Sequence, residues 1–377
     1  MKVLVYVEAW GQGGIESFLM NMFRCLQNNG FEFVLFSTWE WNSSYDSELC
    51  ALGIERYSVF NGYRPGQLKR LREGSAAFER ILKKRQYDAV YVNTMNGMGF
   101  LYSEVARRRG VPVRLVHSHN STFGPNMTAA KTVAHKFAQL FLSGSATACL
   151  ACSDDAGRYL FNKKPFVFVN NGIDTRRFAF DPNARERIRC KLGIPASSFL
   201  AGSIGRVSAT KNPLFQVRAF AEIKKLDPFA HYLMVGDGDM RSETEELVVR
   251  LGLEESFHMT GYLPDPAPYF SALDVFLMPS LFEGLPFAVV ESQCSGCSVL
   301  ASGTLPKEVG ITDLVRTMPL EAGEGAWASV AVEMGTSETN RLFYSERVAR
   351  AGFSADDASC LVAKILNAGD GAGGSIG

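Results

Sequence analysis

Short apolar runs bounded by turn residues alternate with longer stretches of helical period over almost the whole of this 377-residue chain. The runs are residues 3–7, 33–36, 89–92, 113–116, 148–151, 166–169, 199–204, 231–235, 275–278 and 299–301. Each is too short for a helix and is continuously apolar, as a strand is when both faces of its sheet are covered. Segments such as 16–28, 66–85, 102–109 and 213–225 lie between them with helical character. This βαβα order predicts an α/β fold with doubly wound parallel sheets.

The length suits two core-sized domains. The turn-rich pentapeptide Asn170-Asn171-Gly172-Ile173-Asp174 is the expected break, giving Rossmann-like domains over 1–170 and 171–353. Residues 354–367 read as an amphipathic helix with Leu361, Ile365 and Leu366 on its apolar side, expected to cross back to the first domain; the tail 368–377 is expected to fray. Lys+Arg and Asp+Glu number 39 each, so net charge gives no reason to expect nucleic acid. The distribution is uneven: residues 1–170 hold 20 basic and 13 acidic residues, the remainder 19 and 26. A basic first half suits an anionic surface, or simply an acidic second half. No segment has the roughly 18 uncharged apolar residues of a membrane span. The start, MKVLVYVEAW, reads as a core strand rather than a signal peptide because Glu8 interrupts it. Of eight cysteines, Cys149/Cys152 and Cys294/Cys297 have C-x-x-C spacing. The first pair lies in a strand-like run where i and i+3 point to opposite faces, so inert thiols in a reducing cytoplasm are expected rather than a metal site.

Three loops sit where an α/β fold binds ligands, after a strand and before a helix. The first, Gly11-Gln12-Gly13-Gly14-Ile15-Glu16, lets backbone approach a ligand, but Glu16 replaces the third glycine of a dinucleotide fingerprint, which disfavours a nicotinamide-dependent dehydrogenase. The second carries Arg206 and Lys211 ahead of Pro213; a planar fork of donors and a point charge beside a helix start suit a diphosphate. In the third, Pro286 is expected near the first helical position, leaving the amides of Gly284, Leu285 and Phe287 for a ligand. Glu283 stands before that helix and Glu291 inside it, among Ala288, Val289 and Val290, where a carboxylate needs a partner or a ligand hydroxyl.

Together these elements resemble the retaining glycosyltransferases of family four. The E-x7-E pattern is matched by Glu283 and Glu291, the basic pair by Arg206 and Lys211, and the glycine loop by Gly13-Gly14-Ile15-Glu16. Asn171-Gly172-Ile173-Asp174 with Phe178, Val235-Gly236-Asp237-Gly238 and the Gly261-Tyr262 turn also fit. The segments VRLVHSHN (113–120), LFEGLPFAVVESQ (281–293) and Thr304-Leu305-Pro306-Lys307-Glu308 are similar to the subgroup of exopolysaccharide and capsule gene clusters. Ser292-Gln293-Cys294-Ser295-Gly296-Cys297-Ser298 departs from the commoner alanine-rich turn and proline.

The resemblance implies a GT-B fold and transfer of a sugar from a UDP- or GDP-sugar to a saccharide or lipid-linked acceptor, with retention and without a metal or other cofactor. Arg206 and Lys211 would neutralise the leaving diphosphate. Glu291 would accept from the ribose hydroxyls and Glu283 would face the sugar, with Gly284, Leu285 and Phe287 supplying amides. Gly13, Gly14 and Glu16 would contact substrate, and backbone near Gly261 and Tyr262 the base. A histidine near the strand 113–116 would support the transition state; His117 and His119 both qualify, with His119 further out. The loops 39–46 and 121–131 are expected to set the acceptor.

The implied location is cytoplasmic, with peripheral membrane attachment. In the segment 66–85, Leu68, Leu71, Phe78, Ile81 and Leu82 are expected to form one apolar side under seven basic residues. A GT-B-like nucleotide-sugar 2-epimerase and a non-catalytic sugar-nucleotide scaffold remain as alternatives, and oligomeric state is open.

Overall fold

Thirteen strands form two wholly parallel sheets among the residues described by the computed structural model, which are 1–369 except 12, 42, 44, 121–127, 284, 285, 304, 338 and 339. The chain divides into two units, 1–172 together with the C-terminal helix, and 173–354. In the first, β1 (Lys2–Trp10), β2 (Glu32–Glu40), β3 (Glu55–Asn61), β4 (Ala89–Thr94), β5 (Val113–Ser118), β6 (Ala148–Ala151) and β7 (Val167–Phe168) lie in the order β3-β2-β1-β4-β5-β6-β7. In the second, β8 (Leu200–Ile204), β9 (His231–Val235), β10 (Phe257–Gly261), β11 (Val275–Met278), β12 (Ser298–Ser302) and β13 (Val315–Met318) lie in the order β10-β9-β8-β11-β12-β13. Strand order reverses at β1/β4 and at β8/β11. Crevices at the carboxyl ends of such reversals are where doubly wound sheets bind ligands.

The ten expected strands are present. The three unanticipated ones, β3, β10 and β13, are all edge strands. An edge strand is incompletely covered, so it carries polar residues and lacks the continuous apolar run that marks a central strand. β13, Val-Arg-Thr-Met, has no buried residue at all.

In the first unit, Tyr6, Phe36, Phe78 and Tyr102 interlock between the sheet and the helices Gln67–Lys84 and Gly99–Arg108. The Tyr6 and Tyr102 rings are stacked at 3.7 Å, with Phe78 edge-on to both. On Gln67–Lys84, Phe78 is buried and Leu71, Ile81 and Leu82 are half-buried, but Leu68 is 85% exposed, which corrects the expectation that it joins the apolar side. Leu68 lies in the same first turn as the buried Arg70 but about 160° from it around the helix, so it points away from the sheet.

The helix Ala355–Ala368 packs on the helix Gly14–Leu26 of the first unit, where Cys25 Sγ donates to Asp356 Oδ1 at 3.1 Å. Its buried apolar residues are Ala355, Ala358, Val362, Ile365 and Leu366; Leu361, expected there, is half-buried. The Ile173↔Ser354 bridge joins the segments that enter and leave the second unit. Residues 370–377 of the expected tail lie outside the described residues.

Candidate functional site

In the second unit, the loop after β8 is built by close backbone approach. A Cβ on Gly236 would stand 1.9 Å from Gly205 O, and one on Gly238 2.2 Å from Val207 O. With no side chains in the way, Gly205 N donates to Val235 O (2.9 Å), Val207 N to Asp237 O (3.0 Å) and Met240 N to Val207 O (3.1 Å). The Gly-x-Gly of residues 236–238 therefore shapes the neighbouring loop that carries Arg206. A 3-10 turn, Ala209–Lys211, follows, and Asn212 takes a left-handed conformation (φ 54°) before Pro213 opens the helix Pro213–Leu226. Gln216 holds this turn: its Nε2 donates to Lys211 O at 2.8 Å, and its Oε1 accepts from Tyr232 OH at 3.0 Å.

Arg206 and Lys211 thus line one crevice with Gly205, Gln216 and Ser280, at the carboxyl ends of β8 and β11 where strand order reverses. Leu281 N donates to Thr210 O at 2.8 Å, drawing the segment after β11 onto the Lys211 turn. Lys211 Nζ then meets Glu283 Oε1 at 2.6 Å, with only 8% of the Glu283 side chain exposed. The resemblance implies different parts of a ligand for these two residues; in the structure they are an ion pair.

Pro286 is the N-cap of the helix Phe287–Cys294, so Phe287 rather than Pro286 holds the first helical position. Gly284 and Leu285 lie outside the described residues. Glu291 is half-buried on this helix, and no described residue donates a hydrogen bond to its carboxylate. Burial pushes its pKa from 4.5 up to about 7, opposed in part by the Arg177 charge. Gly261 adopts φ 71° and its carbonyl accepts from Gly236 N at 2.9 Å, so its oxygen is engaged within the fold; Tyr262 beside it is exposed. In the departing segment 292–298, the buried Gln293 side chain donates to Val289 O and Val309 O and accepts from Ile311 N, Thr312 N and Thr312 Oγ1.

In the first unit, β5 brings the His117 and His119 rings to 4.0 Å, both against Phe18 of the Gly14–Leu26 helix. His117 is wholly buried and its Nδ1 shares a 2.7 Å hydrogen bond with Tyr91 OH; its Nε2 has no partner among the described residues. His119 is 9% exposed, and its Nε2 donates to Asn93 Oδ1 at 2.9 Å. Burial lowers both pKa values, His119 to about 3, so both imidazoles are neutral near pH 7.

Gly13 caps the Gly14–Leu26 helix, and Glu16 at the third helical position turns back to accept from Gly11 N at 3.1 Å. One oxygen of the carboxylate expected to contact substrate thus also closes its own loop, accepting from a residue two before the N-cap. Trp41 lies over Gly11, where a Cβ would meet its ring at 2.3 Å.

The structure thus gathers Arg206 and Lys211 in one crevice of the second unit, with Glu283 paired to Lys211, and His117 and His119 in the first, beside the helix that Gly13 caps and Gly14 begins. Sequence reasoning missed Tyr91 and Asn93, which anchor the two histidines. The available signal was polar residues two apart in the otherwise apolar strand AVYVNT; Asn93 is the parallel partner of His117.

The model of the glycosyl transferases group 1 matches residues 184–314, and that of the glycosyl transferase 4-like domain matches residues 13–171. The putative glycosyltransferase EpsF of Bacillus subtilis is 28% identical, over 97% of this chain and 95% of its own. The UDP-Gal:alpha-D-GlcNAc-diphosphoundecaprenol alpha-1,3-galactosyltransferase of Escherichia coli is 28% identical over 59% of each chain. Among solved structures, Anabaena HepE in complex with UDP and glucose superposes with a TM-score of 0.75 at 19% identity, covering 98% of this chain and 100% of that one.

Proposed function

Since this chain belongs to the glycosyltransferases of family four, with the GT-B fold, we propose that it moves a sugar from a UDP- or GDP-sugar to a saccharide or lipid-linked saccharide acceptor, with retention and without a metal ion. The observation that carries this reading is the Arg206/Lys211 crevice at the β8/β11 reversal, with Glu283 on Lys211.

In the reaction, the bond from the anomeric carbon to the diphosphate oxygen breaks and its electron pair leaves with the nucleotide. The acceptor oxygen bonds to the same face of the carbon, and its proton passes to the departing diphosphate. Arg206 and Lys211 stabilise the negative charge that grows on that leaving group, the task a divalent cation performs elsewhere. Lys211 turns from Glu283 to the diphosphate, which frees Glu283 to accept from a sugar hydroxyl. The unpartnered carboxylate of Glu291 accepts from the ribose hydroxyls. Neutral His119, held by Asn93, supports the sugar in the transition state. A biosynthetic role in exopolysaccharide or capsule assembly is the one that the segments 113–120 and 281–293 imply by resemblance, and the diphosphoundecaprenol in the name of the Escherichia coli relative supports a lipid-linked acceptor.

Melting curves with a panel of nucleotide sugars test the donor, followed by nucleotide release with and without saccharide acceptors. The reading predicts stabilisation by one donor and turnover that requires an acceptor. Epimerised sugar without acceptor would instead mark an epimerase, and stabilisation without any turnover a scaffold.

Attachment to an anionic leaflet of the cytoplasmic membrane is part of the same proposal. No helix among the described residues is long and apolar enough to cross a membrane. The helix Ala129–Phe141 exposes Val133, Phe137, Leu140 and Phe141, spaced on one face beside exposed Lys136. On Gln67–Lys84, Lys83 pairs with Glu79 at 3.8 Å, and Arg85 just beyond pairs with Glu55, so Lys69, Arg72, Arg80 and Lys84 are the better sources of surface charge. Sedimentation with phosphatidylglycerol vesicles at low salt is expected, reversed by high salt and weakened by Phe137→Ser or Lys84→Glu. Protein remaining wholly in the supernatant would refute the attachment and leave the transferase reading intact.

A further inference from the structure

Of the seven buried residues on the helix Pro213–Leu226, six are apolar and the seventh is Gln216. Leucine would fill that space without an amide to desolvate, so packing alone does not call for glutamine. Its hydrogen bonds do.

The turn from Ser208 to Lys211 presents four carbonyls, and all are engaged. Ser208 O accepts from Lys211 N at 2.9 Å, Ala209 O from Asn212 N at 3.2 Å and Thr210 O from Leu281 N at 2.8 Å. Those three bonds are backbone to backbone. The fourth, on Lys211 O, comes from the Gln216 side chain, whose Nε2 donates at 2.8 Å. Asn212 gives the helix no side-chain cap, and Gln216, leaning back toward the helix start, ties turn and helix together.

A carbonyl oxygen only accepts. The amino end of the Gln216 amide must therefore face Lys211, and its Oε1 must face Tyr232, whose hydroxyl donates at 3.0 Å. Tyr232 is wholly buried in β9, its ring stacked on Phe257 at 4.8 Å and tilted against Phe220 at 5.5 Å. Burial pushes its pKa up, so the phenol keeps the proton it donates.

This relay ends at the root of the lysine arm, because Lys211 Cα is bonded to the carbonyl that Gln216 holds. A tilt of about 10° at that root moves the Nζ of an extended arm by roughly 1 Å, a misplacement of the size that costs catalysis about 10²-fold. The same turn receives the Glu283 segment through Thr210 O, so lysine and glutamate are set on one frame.

We propose that Gln216, oriented by Tyr232, is a positioning residue for the transfer: it sets the root of the Lys211 arm so that the ammonium reaches the departing diphosphate. The inference rests on the glycosyltransferase reading and adds to it a residue that acts only through Lys211.

A double-mutant cycle on nucleotide affinity tests it, by calorimetric titration with UDP and with GDP. The free nucleoside diphosphate is the leaving group itself, so its affinity reads the Lys211 contact directly. Gln216→Leu should weaken the tighter of the two nucleotides about 10-fold in the wild-type background and by less than about 2-fold once Lys211 is alanine. Gln216→Glu covers the case in which the leucine variant does not fold. Its protonated carboxyl can donate to Lys211 O and accept from Tyr232 as the amide does, and its ionised form cannot donate. Relative to the wild type at each pH, its affinity should be near equal in acid and fall about 10-fold as pH rises through the carboxyl's pKa. Equal losses from Gln216→Leu in both backgrounds, no loss in either, or a flat pH ratio for Gln216→Glu would overturn the proposal. A wild type that binds neither nucleotide, or a Lys211→Ala variant that binds as tightly as the wild type, would strike the donor reading instead.

Discussion

Lys211→Ala separates two roles that one side chain carries. In the free protein Lys211 neutralises Glu283 at 2.6 Å, and the Glu283 side chain is 8% exposed against 28% for Lys211. Removing the cation leaves a nearly buried carboxylate unpaired, which costs about 1–3 kcal/mol of stability. In catalysis the same ammonium stabilises the departing diphosphate, and loss of one such group lowers kcat by roughly 10²–10³-fold. The two effects come apart in a double-mutant cycle. Glu283→Gln placed on top of Lys211→Ala removes the stranded charge, so most of the lost stability should return while turnover stays low. Denaturant unfolding supplies the stability arm, and nucleotide release at saturating donor and acceptor supplies kcat. Stability losses that add within about 0.3–0.5 kcal/mol would show that the pair is not coupled and refute the reasoning.

Gly236→Ala should cost about 3 kcal/mol, from overpacking against Gly205 O at 1.9 Å and strain at φ 137°, and should abolish the nucleotide-induced melting shift. Gly30→Ala, also at positive φ but with open space around it, should cost roughly 1 kcal/mol and spare nucleotide binding. The pH dependence of the melting temperature should contain two opposed contributions. Glu291, raised to about 7, binds a proton when folded that it releases on unfolding, so its contribution is lost as pH rises from 4.5 to 7; Glu291→Gln should remove that slope. His119, lowered to about 3, takes up a proton on unfolding, so its contribution is lost as pH falls from 6.5; His119→Asn should flatten the acid side. Unchanged slopes in either variant would exclude that residue as the source.

The central strands were legible because burial on both faces writes a continuous apolar run. β3, β10 and β13 were not, because half-covered edges have no need of one. Leu68 was misplaced because apolar character was taken to mark the buried side: in that turn it is Arg70, about 160° around the helix, that turns to the sheet. The loops carrying Arg206, Lys211 and Glu283, and the helix carrying Glu291, could be read from the order of strand, glycine or proline, and helix. The Lys211–Glu283 ion pair could not, since it depends on the Leu281–Thr210 backbone bond between segments about seventy residues apart. Glu16 shows the converse. A carboxylate in a glycine loop reads as a ligand contact, and nothing in the sequence shows that one of its oxygens also closes the loop onto Gly11 N.

The measurement that bears most directly on the account follows the anomeric proton of the product by NMR, with the preferred donor and acceptor and with EDTA present throughout. Retention without a metal predicts a product of the donor's own anomeric configuration, formed at a rate that EDTA leaves largely unchanged, and at least about 10²-fold more slowly when Arg206 or Lys211 is alanine. A product of inverted configuration, or a strict requirement for magnesium or manganese, would contradict it.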